Sequence, residues 1–282
     1  MLHLIRSDLY KLKKSNYLWV CLLIALILGT GTIFLLDFTY KMTGDQMQAQ
    51  LEQIQSEMEE TGVSVTTSGI PASYEELSAS SQLLSFFSGE STLLLAVVIS
   101  LFVGGEFTYG TIKNLVSRSY SRGSIYASKF IVGTLVSILF AVLYAAVSTI
   151  TATALWGFGT VSKGFLPDLL TGIALELFLN AAYAAIFLMF SILIRQNGGS
   201  LAANICFLEF LSLFAMLGEM LLKKLLNHTV SLSAYLPDTV MQAVASQELT
   251  SSLITRALAV GAGFMIVSTI IGSISFIRRD IR

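Results

Sequence analysis

EFTYGTIKNLVSRSYSRGSIYASK, residues 106–129, is polar and basic, and the apolar runs on either side of it carry almost no charge. A basic connector between two long apolar runs is what a cytoplasmic loop between two membrane helices looks like. The rest of the composition agrees. Of 282 residues, 54% are hydrophobic and 12% are charged, with a mean hydropathy of +0.75, whereas a soluble domain is about 25% charged. The charges are too few to coat a soluble globule, so the chain reads as an integral membrane protein. The apolar runs are long and do not alternate with polar residues, which favours helices over a barrel. The predicted fold class is all-α, with six transmembrane helices.

Working outward, the second and third spans flank the connector at about 83–105 and 128–155, the former interrupted near Gly89 and Glu90. The third is rich in small and hydroxyl residues, among them Ala141, Ala145, Ala146, Ser148, Thr149, Thr151, Ala152 and Thr153, a composition that lets helices approach closely in lipid. The first span is expected at 16–36, the fourth at 168–194, the fifth at 201–222 and the sixth at 253–277. Gly261, Ser268 and Gly272 offer a packing face on the sixth. Residues 1–15 place Leu2, Ile5, Leu9 and Leu12 at helical steps with Arg6, Lys11, Lys13 and Lys14 largely between them, the pattern of an amphipathic helix at the inner interface. A plain basic flank for the first span is the alternative. No small-residue cleavage site follows the first apolar run before Asp37, so a retained signal anchor is expected rather than a cleaved leader.

Two excursions fall on the other side. Residues 37–82 are acidic, with a helical stripe of Met47, Leu51, Ile54 and Met58 and a Ser/Thr/Gly-rich part at 61–73. Residues 223–252 contain Pro237-Asp238, which starts a short helix running through Val244. Counting Lys and Arg fixes the orientation. Arg6, Lys11, Lys13, Lys14, Lys113, Arg118, Arg122, Lys129, Arg195, Arg278, Arg279 and Arg282 lie on the connector's side, against Lys41, Lys163, Lys223, Lys224 and, at the edge of the last span, Arg256. Both termini are therefore expected in the cytoplasm.

The sequence has no GxxxxGK[ST], HExxH or GxSxG, so nucleotide hydrolysis and hydrolase chemistry are not expected of this chain itself. No metal or cofactor is expected on it. Cys21 and Cys206 fall in apolar runs without CxxC spacing and read as small buried thiols. Its basic residues are dispersed without aromatic interleaving, which gives nucleic-acid binding no support. The intramembrane polar groups are Glu90, Glu176, Asn180, Glu209 and Glu219. A mid-bilayer charge costs about 2.5–3.5 kcal/mol on insertion scales, so each needs a partner, water or a proton. Glu176 and Asn180 share one helical face and either line a cavity or hold two helices together. Glu209 is the deepest single carboxylate and the strongest functional candidate of the set, while Glu90 and Glu219 lie near outer ends where water reaches them.

Within the connector, Thr111 to Ser117 place Ile112, Leu115 and Val116 on one side of a short helix and Lys113 and Asn114 on the other. Ser121 is an N-cap for a helix continuing into the third span, with Gly123 in its first turn. The run Glu106, Gly110-Thr111-Ile112, Asn114, Ser121-Arg122 and Ile125-Tyr126 through Lys129 resembles the cytoplasmic segment of ABC-2 type (type V exporter-like) permeases. It is most similar to the branch with bacitracin and lantibiotic self-protection permeases and exporters of amphipathic peptide toxins. The likeness extends over the whole chain, except that the acidic first outer loop is longer than a simple connection needs.

The resemblance implies a permease subunit in a bacterial plasma membrane. It pairs with a second copy or a paralogue and is driven by two copies of a separate ATPase that carries the ATP and Mg. The implied cargo is an amphipathic peptide or a lipid-like antibiotic. The implied ATPase-coupling residues are Glu106, Gly110, Thr111, Ile112, Lys113, Asn114, Leu115, Arg118, Ser121 and Arg122. The implied outer gate lies in a re-entrant segment at 223–252, with Glu219, Pro237 and Asp238 as candidates. Two other classes stay open on the residues alone: a secondary transporter with a proton site at Glu209 or Glu176, and a membrane scaffold or sensor that moves no cargo. The halves of the chain do not repeat, which weighs against the secondary transporter.

Overall fold

In the computed structural model, residues 1–61, 74, 77–88, 90–117, 120–160, 165–226, 231–246 and 249–278 are described, with side chains omitted for 43–61 and 225–226. The expected stripe at Met47, Leu51, Ile54 and Met58 and, Asp37 apart, the acidic side chains of the excursion at 37–82 therefore lie outside the described side chains. Arg118, Lys163, Arg279 and Arg282 lie outside the described residues altogether. No strand occurs among the described residues, and six helices are long and apolar enough to cross a membrane.

The chain begins with α1 (Leu2–Lys14) and turns at Ser15 into α2 (Asn16–Thr61). The turn is tied by the Trp19 indole, whose N–H donates to the Lys13 carbonyl at 2.8 Å. The first span does not stop near residue 36. Its apolar part reaches Met42, and the backbone stays helical to Thr61, so the helix expected in the outer excursion is a continuation of the span. Asp37, the first acidic residue on α2, does not end it because partners surround its carboxylate. Lys41 one turn on lies at 2.8 Å, and the Tyr74 hydroxyl and the Trp156 indole each donate at 3.0 Å.

The second span starts later than its hydropathy indicates. Residues 79–87 are a series of turns, and the helix begins as α3 (Ser91–Ile99), passes through a π-helical segment at Ser100–Gly104, and ends as α4 (Gly105–Thr108). At about 1.5 Å per residue the eighteen residues from Ser91 to Thr108 span ~27 Å, close to the thickness of the hydrocarbon core. The connector then forms α5 (Thr111–Ser117).

The third span is α6 (Arg122–Trp156) and the fourth is α7 (Phe165–Ile194), which like the second span is mostly buried. The fifth is α8 (Asn197–Leu226), and the sixth is α10 (Ser251–Arg278). Between these last two lie a short 3-10 turn at Ser233–Tyr235 and α9 (Pro237–Ser246).

Packing follows the small residues. Of the third span's small positions, Ala141, Ala145, Ser148 and Ala152 are buried at helical spacing, and α2 lies along them. The Ser148 hydroxyl donates to the Gly29 carbonyl. On α10, a Cβ at Gly261 would fall 2.5 Å from the Phe178 ring, and one at Gly272 would fall 2.7 Å from the Tyr126 hydroxyl. Only glycine admits the approach of α7 and α6 there. One core joins α1–α3 and α5–α7 to α9 and α10, whereas α8 leaves Phe210, Leu213, Phe214 and Leu217 uncovered. Cys21 is buried as expected. Cys206 is not, because it sits on the open side of α8.

Candidate functional site

The end of the bundle where α1 meets the start of α6, the inner end in the expected orientation, is organised by a buried charge cluster. Lys129, 2% exposed and about two helical turns inside α6, places its ammonium 2.8 Å from Asp8 Oδ1 on α1 and 2.7 Å from Glu106 Oε1 on α4. Lys11 on α1 reaches the same Glu106 oxygen at 2.9 Å, and Ser128 donates to Asp8 Oδ2 at 2.9 Å. The Lys129 ammonium also lies 4.3 Å from the centre of the Phe102 ring, a cation–π contact in a dry setting. Two acids and two bases thus cancel, and they join three segments far apart in sequence: the N-terminal helix, the end of the second span and the start of the third.

This cluster explains why α1 sits with a different face inward from the one its leucine pattern predicts. Leu4, Asp8 and Leu12 are buried, while Leu2 and Leu9 of the predicted stripe are exposed. An acidic residue is turned into the bundle because a lysine waits there. The two exposed leucines and Tyr10 are left on the outer side of α1.

The connector residues divide sharply. Glu106 is 7% exposed and belongs to the charge cluster, so it is not an exposed docking group. Gly110 turns the chain between α4 and α5 with a φ of 69°, a left-handed conformation that favours glycine. Thr111 opens α5, and its hydroxyl donates to the Glu106 carbonyl at 3.4 Å. The helix has the two faces expected of it, but its apolar face is already used: Ile112 is 2% exposed in the core, and Leu115 and Val116 pack against that core. What α5 offers outward is Thr111, Lys113, Asn114 and Ser117.

Ser121 is the N-cap of α6, its hydroxyl accepting from the Ser124 amide at 3.2 Å. Arg122 turns to the end of α10, where its guanidinium donates to the Ile277 carbonyl at 2.7 Å. A cation on the last carbonyls of a helix is favoured by the helix dipole. Arg195, which ends α7 with a φ of 60°, reaches the same helix end at the Ser275 carbonyl. The arginines therefore staple the inner ends of α6, α7 and α10.

Just above α4, the π-helical segment is held by a polar network absent from the sequence expectations. Asn204 on α8 donates to the Ser100 hydroxyl at 2.8 Å and to the Phe187 carbonyl at 3.3 Å. Ser100 in turn donates to the Ala96 carbonyl at 2.6 Å. Ser100, Ser191 and Asn204 are all fully buried. A π-turn is a common place for a helix to bend.

The intramembrane candidates do not form one site. Glu176 is fully buried, and neither carboxylate oxygen has a hydrogen bond among the described residues. Asn180 does not pair with that carboxylate, since its amide donates to the Glu176 backbone carbonyl at 3.0 Å. Glu219 is 8% exposed rather than washed by water, and it accepts from the Ser233 amide, fastening the 3-10 turn to α8. Pro237 is buried at the start of α9. Asp238, one residue on, lines a pocket of about 270 Å³ together with Glu209 and Glu90. Burial pushes the Asp238 carboxyl up from the ordinary aspartate range, and the charge of Glu209 pushes it further.

Lys129 was legible only as a charge flanking the third span, and Asp8 was not read at all. The available signal was a single acid within an otherwise basic N-terminal helix. No curated protein matches the sequence. Residues 42–282 match the model of a family described as "Protein of unknown function (DUF2705)"; the match takes in all the chain from the outer end of the first span onward, and the chain belongs to that family.

Proposed function

We propose that this chain is the membrane-spanning permease subunit of an ABC-2 type exporter in a bacterial plasma membrane. In this reading it moves an amphipathic peptide or lipid-like cargo outward, and a separate ATPase, present in two copies, drives it. A second copy of the chain or a paralogue completes the pathway. The observation that carries the reading is the construction of α5. Its apolar face is sunk in the bundle, its polar face of Lys113 and Asn114 is open, and α4 beside it is fixed to α1 and α6 through Glu106. A helix built this way transmits force into the bundle when something pushes on its outer face. A loop that only connects two spans needs neither the buried anchor nor the charge cluster.

The test is co-purification and ATP hydrolysis with the ATPase encoded beside this chain. Binding and altered hydrolysis are expected, and both should fall in the double variant Lys113→Glu/Asn114→Asp while the permease still inserts and folds. A permease that neither binds that ATPase nor changes its turnover overturns the reading.

A further inference from the structure

The pocket between α3, α7, α8 and α9 is acidic without a counter-ion. Glu90, Glu209 and Asp238 line it, and no lysine, arginine or histidine does among the described residues. Gln242 donates to one Asp238 oxygen at 3.3 Å, which leaves the net charge of the wall unchanged.

A second feature is independent of the carboxylates. Tyr183 is 3% exposed and lines the same pocket, yet its hydroxyl makes no hydrogen bond to any described residue. A phenol this deeply buried ordinarily finds a hydrogen-bond partner, whereas this one keeps its oxygen on the pocket wall. Here the free position is toward the pocket, so an incoming polar group is the partner available to it.

Depth and spacing narrow the occupant. Tyr183 comes eighteen residues after the outer end of α7, and Glu209 comes twelve residues after the inner end of α8. At 1.5 Å per residue Glu209 lies about 18 Å from the inner end, so the pocket floor is near mid-span rather than at the surface. The mouth is set by Glu90, just before α3, and by the start of α9. No three His, Cys, Asp or Glu side chains among the described residues come close enough together to hold a metal ion. Carboxylates spread around a cavity, with a tyrosine oxygen between them, suit a cation that has several hydrogen-bond donors of its own.

We propose that this pocket binds an organic ammonium group, as carried by an alkylamine or by a lysine side chain or amino terminus of a peptide. The ammonium donates to Asp238, Glu209 and the Tyr183 oxygen, with Glu90 at the mouth drawing the cation in. The site stands independently of the exporter reading, because binding needs neither ATP nor an ATPase. If that reading also holds, the site gives the amphipathic cargo a positively charged head.

The probe is dansylcadaverine, a fluorescent primary alkylammonium, titrated against the full chain in phosphatidylcholine nanodiscs with empty discs subtracted. Saturable binding is expected, and N-acetyl dansylcadaverine, equally apolar but uncharged, should fail to compete. Glu209→Gln and Asp238→Asn should each weaken binding about tenfold, and Tyr183→Phe about threefold. The comparison of the two probes on the unaltered protein does not depend on any variant folding. Equal binding of both probes, unchanged affinity in Glu209→Gln/Asp238→Asn, or displacement by micromolar calcium would each overturn the proposal. Loss of ATPase coupling alone would leave it standing.

Discussion

Replacing Lys129 by methionine removes the buried ammonium that holds both Asp8 and Glu106 within 3 Å and keeps most of the side chain's volume. Two carboxylates then remain in the buried cluster, with only Lys11 to serve them. Lys11 contacts Glu106 at 2.9 Å but stands 3.8 Å from the Asp8 oxygen, and its side chain is 39% exposed, so its hold on Asp8 is weak. Breaking a buried ion pair by removing one member costs about 3–5 kcal/mol, because the survivor stays desolvated without a partner. That cost falls on the packing of α1 against α4 and α6. It corresponds to a shift of roughly two to almost four powers of ten in the equilibrium between docked and released α1. The assay is thermal unfolding of the purified chain in nanodiscs, paired with protease accessibility of the segment joining α1 to α2. The single variant should unfold earlier and be cut there faster. The triple variant Asp8→Asn/Glu106→Gln/Lys129→Met carries no unpaired charge from these three residues, and it should recover most of the loss. If Lys129→Met unfolds like the unaltered protein, or if the triple variant is worse than the single one, the cluster does not hold α1 in place and the argument fails.

Other predictions are more local. Glu176→Gln keeps the shape and removes a carboxylate that has no hydrogen bond to lose, so stability should be unchanged or higher. A loss above about 1 kcal/mol in chemical or thermal unfolding would show that the carboxylate has a favourable partner. Ile112→Asp should lower stability by about 3 kcal/mol or more, since it buries a charge in the core. Lys113→Glu should leave stability within about 0.5 kcal/mol while weakening any ATPase association, because that side chain is exposed. Ammonium binding should fall as pH drops through the raised Asp238 value, above the usual aspartate range, because the pocket loses charge there. The groups facing Asp238 across the pocket are Glu209, Glu90 and Tyr183, and Gln242 is its hydrogen-bond neighbour. The ligand-free protein should respond oppositely. With its folded value raised, Asp238 binds its proton more tightly folded than unfolded, so its contribution to stability falls as pH rises through that window.

The fold was legible wherever one residue type decided the matter. Long apolar runs gave six spans, Ser121 gave the start of α6, and Pro237-Asp238 gave α9. Hydropathy failed where backbone geometry decides. Residues 83–88 are as apolar as a span, but the chain turns through them, and the helix waits until Ser91. The same limit applies to the first span, whose helix runs past Asp37 because Lys41, Tyr74 and Trp156 satisfy that carboxylate. Counting charges put Lys11 and Lys129 on the same side without showing that they were committed to Asp8 and Glu106. A count sees the sign of a side chain, and pairing depends on which helix faces which. For the same reason Glu90, Glu209 and Asp238, which sit on three different segments of the chain, stood as isolated acids until the fold brought them to one pocket.

The charge cluster, the π-helical segment and the acidic pocket follow one another along the second span. Ile112 fixes α5 in the core, and Glu106 fixes α4 to α1 and α6, so the inner end has little freedom to deform on its own. The next segment outward is the π-helix at Ser100–Gly104, whose Ser100 is held by Asn204 of α8. In the exporter reading, a push on Lys113 and Asn114 passes through the rigid inner end and is absorbed at this bend, shifting α3 against α8. Those two helices carry Thr92 and Glu209 of the acidic pocket. Asn204→Leu therefore tests the route: it removes the link between the bend and α8 without touching α5 or the pocket wall. ATPase association should persist, and ammonium affinity should stop responding to ATP. Continued response of the pocket to ATP in that variant would place the transmission elsewhere.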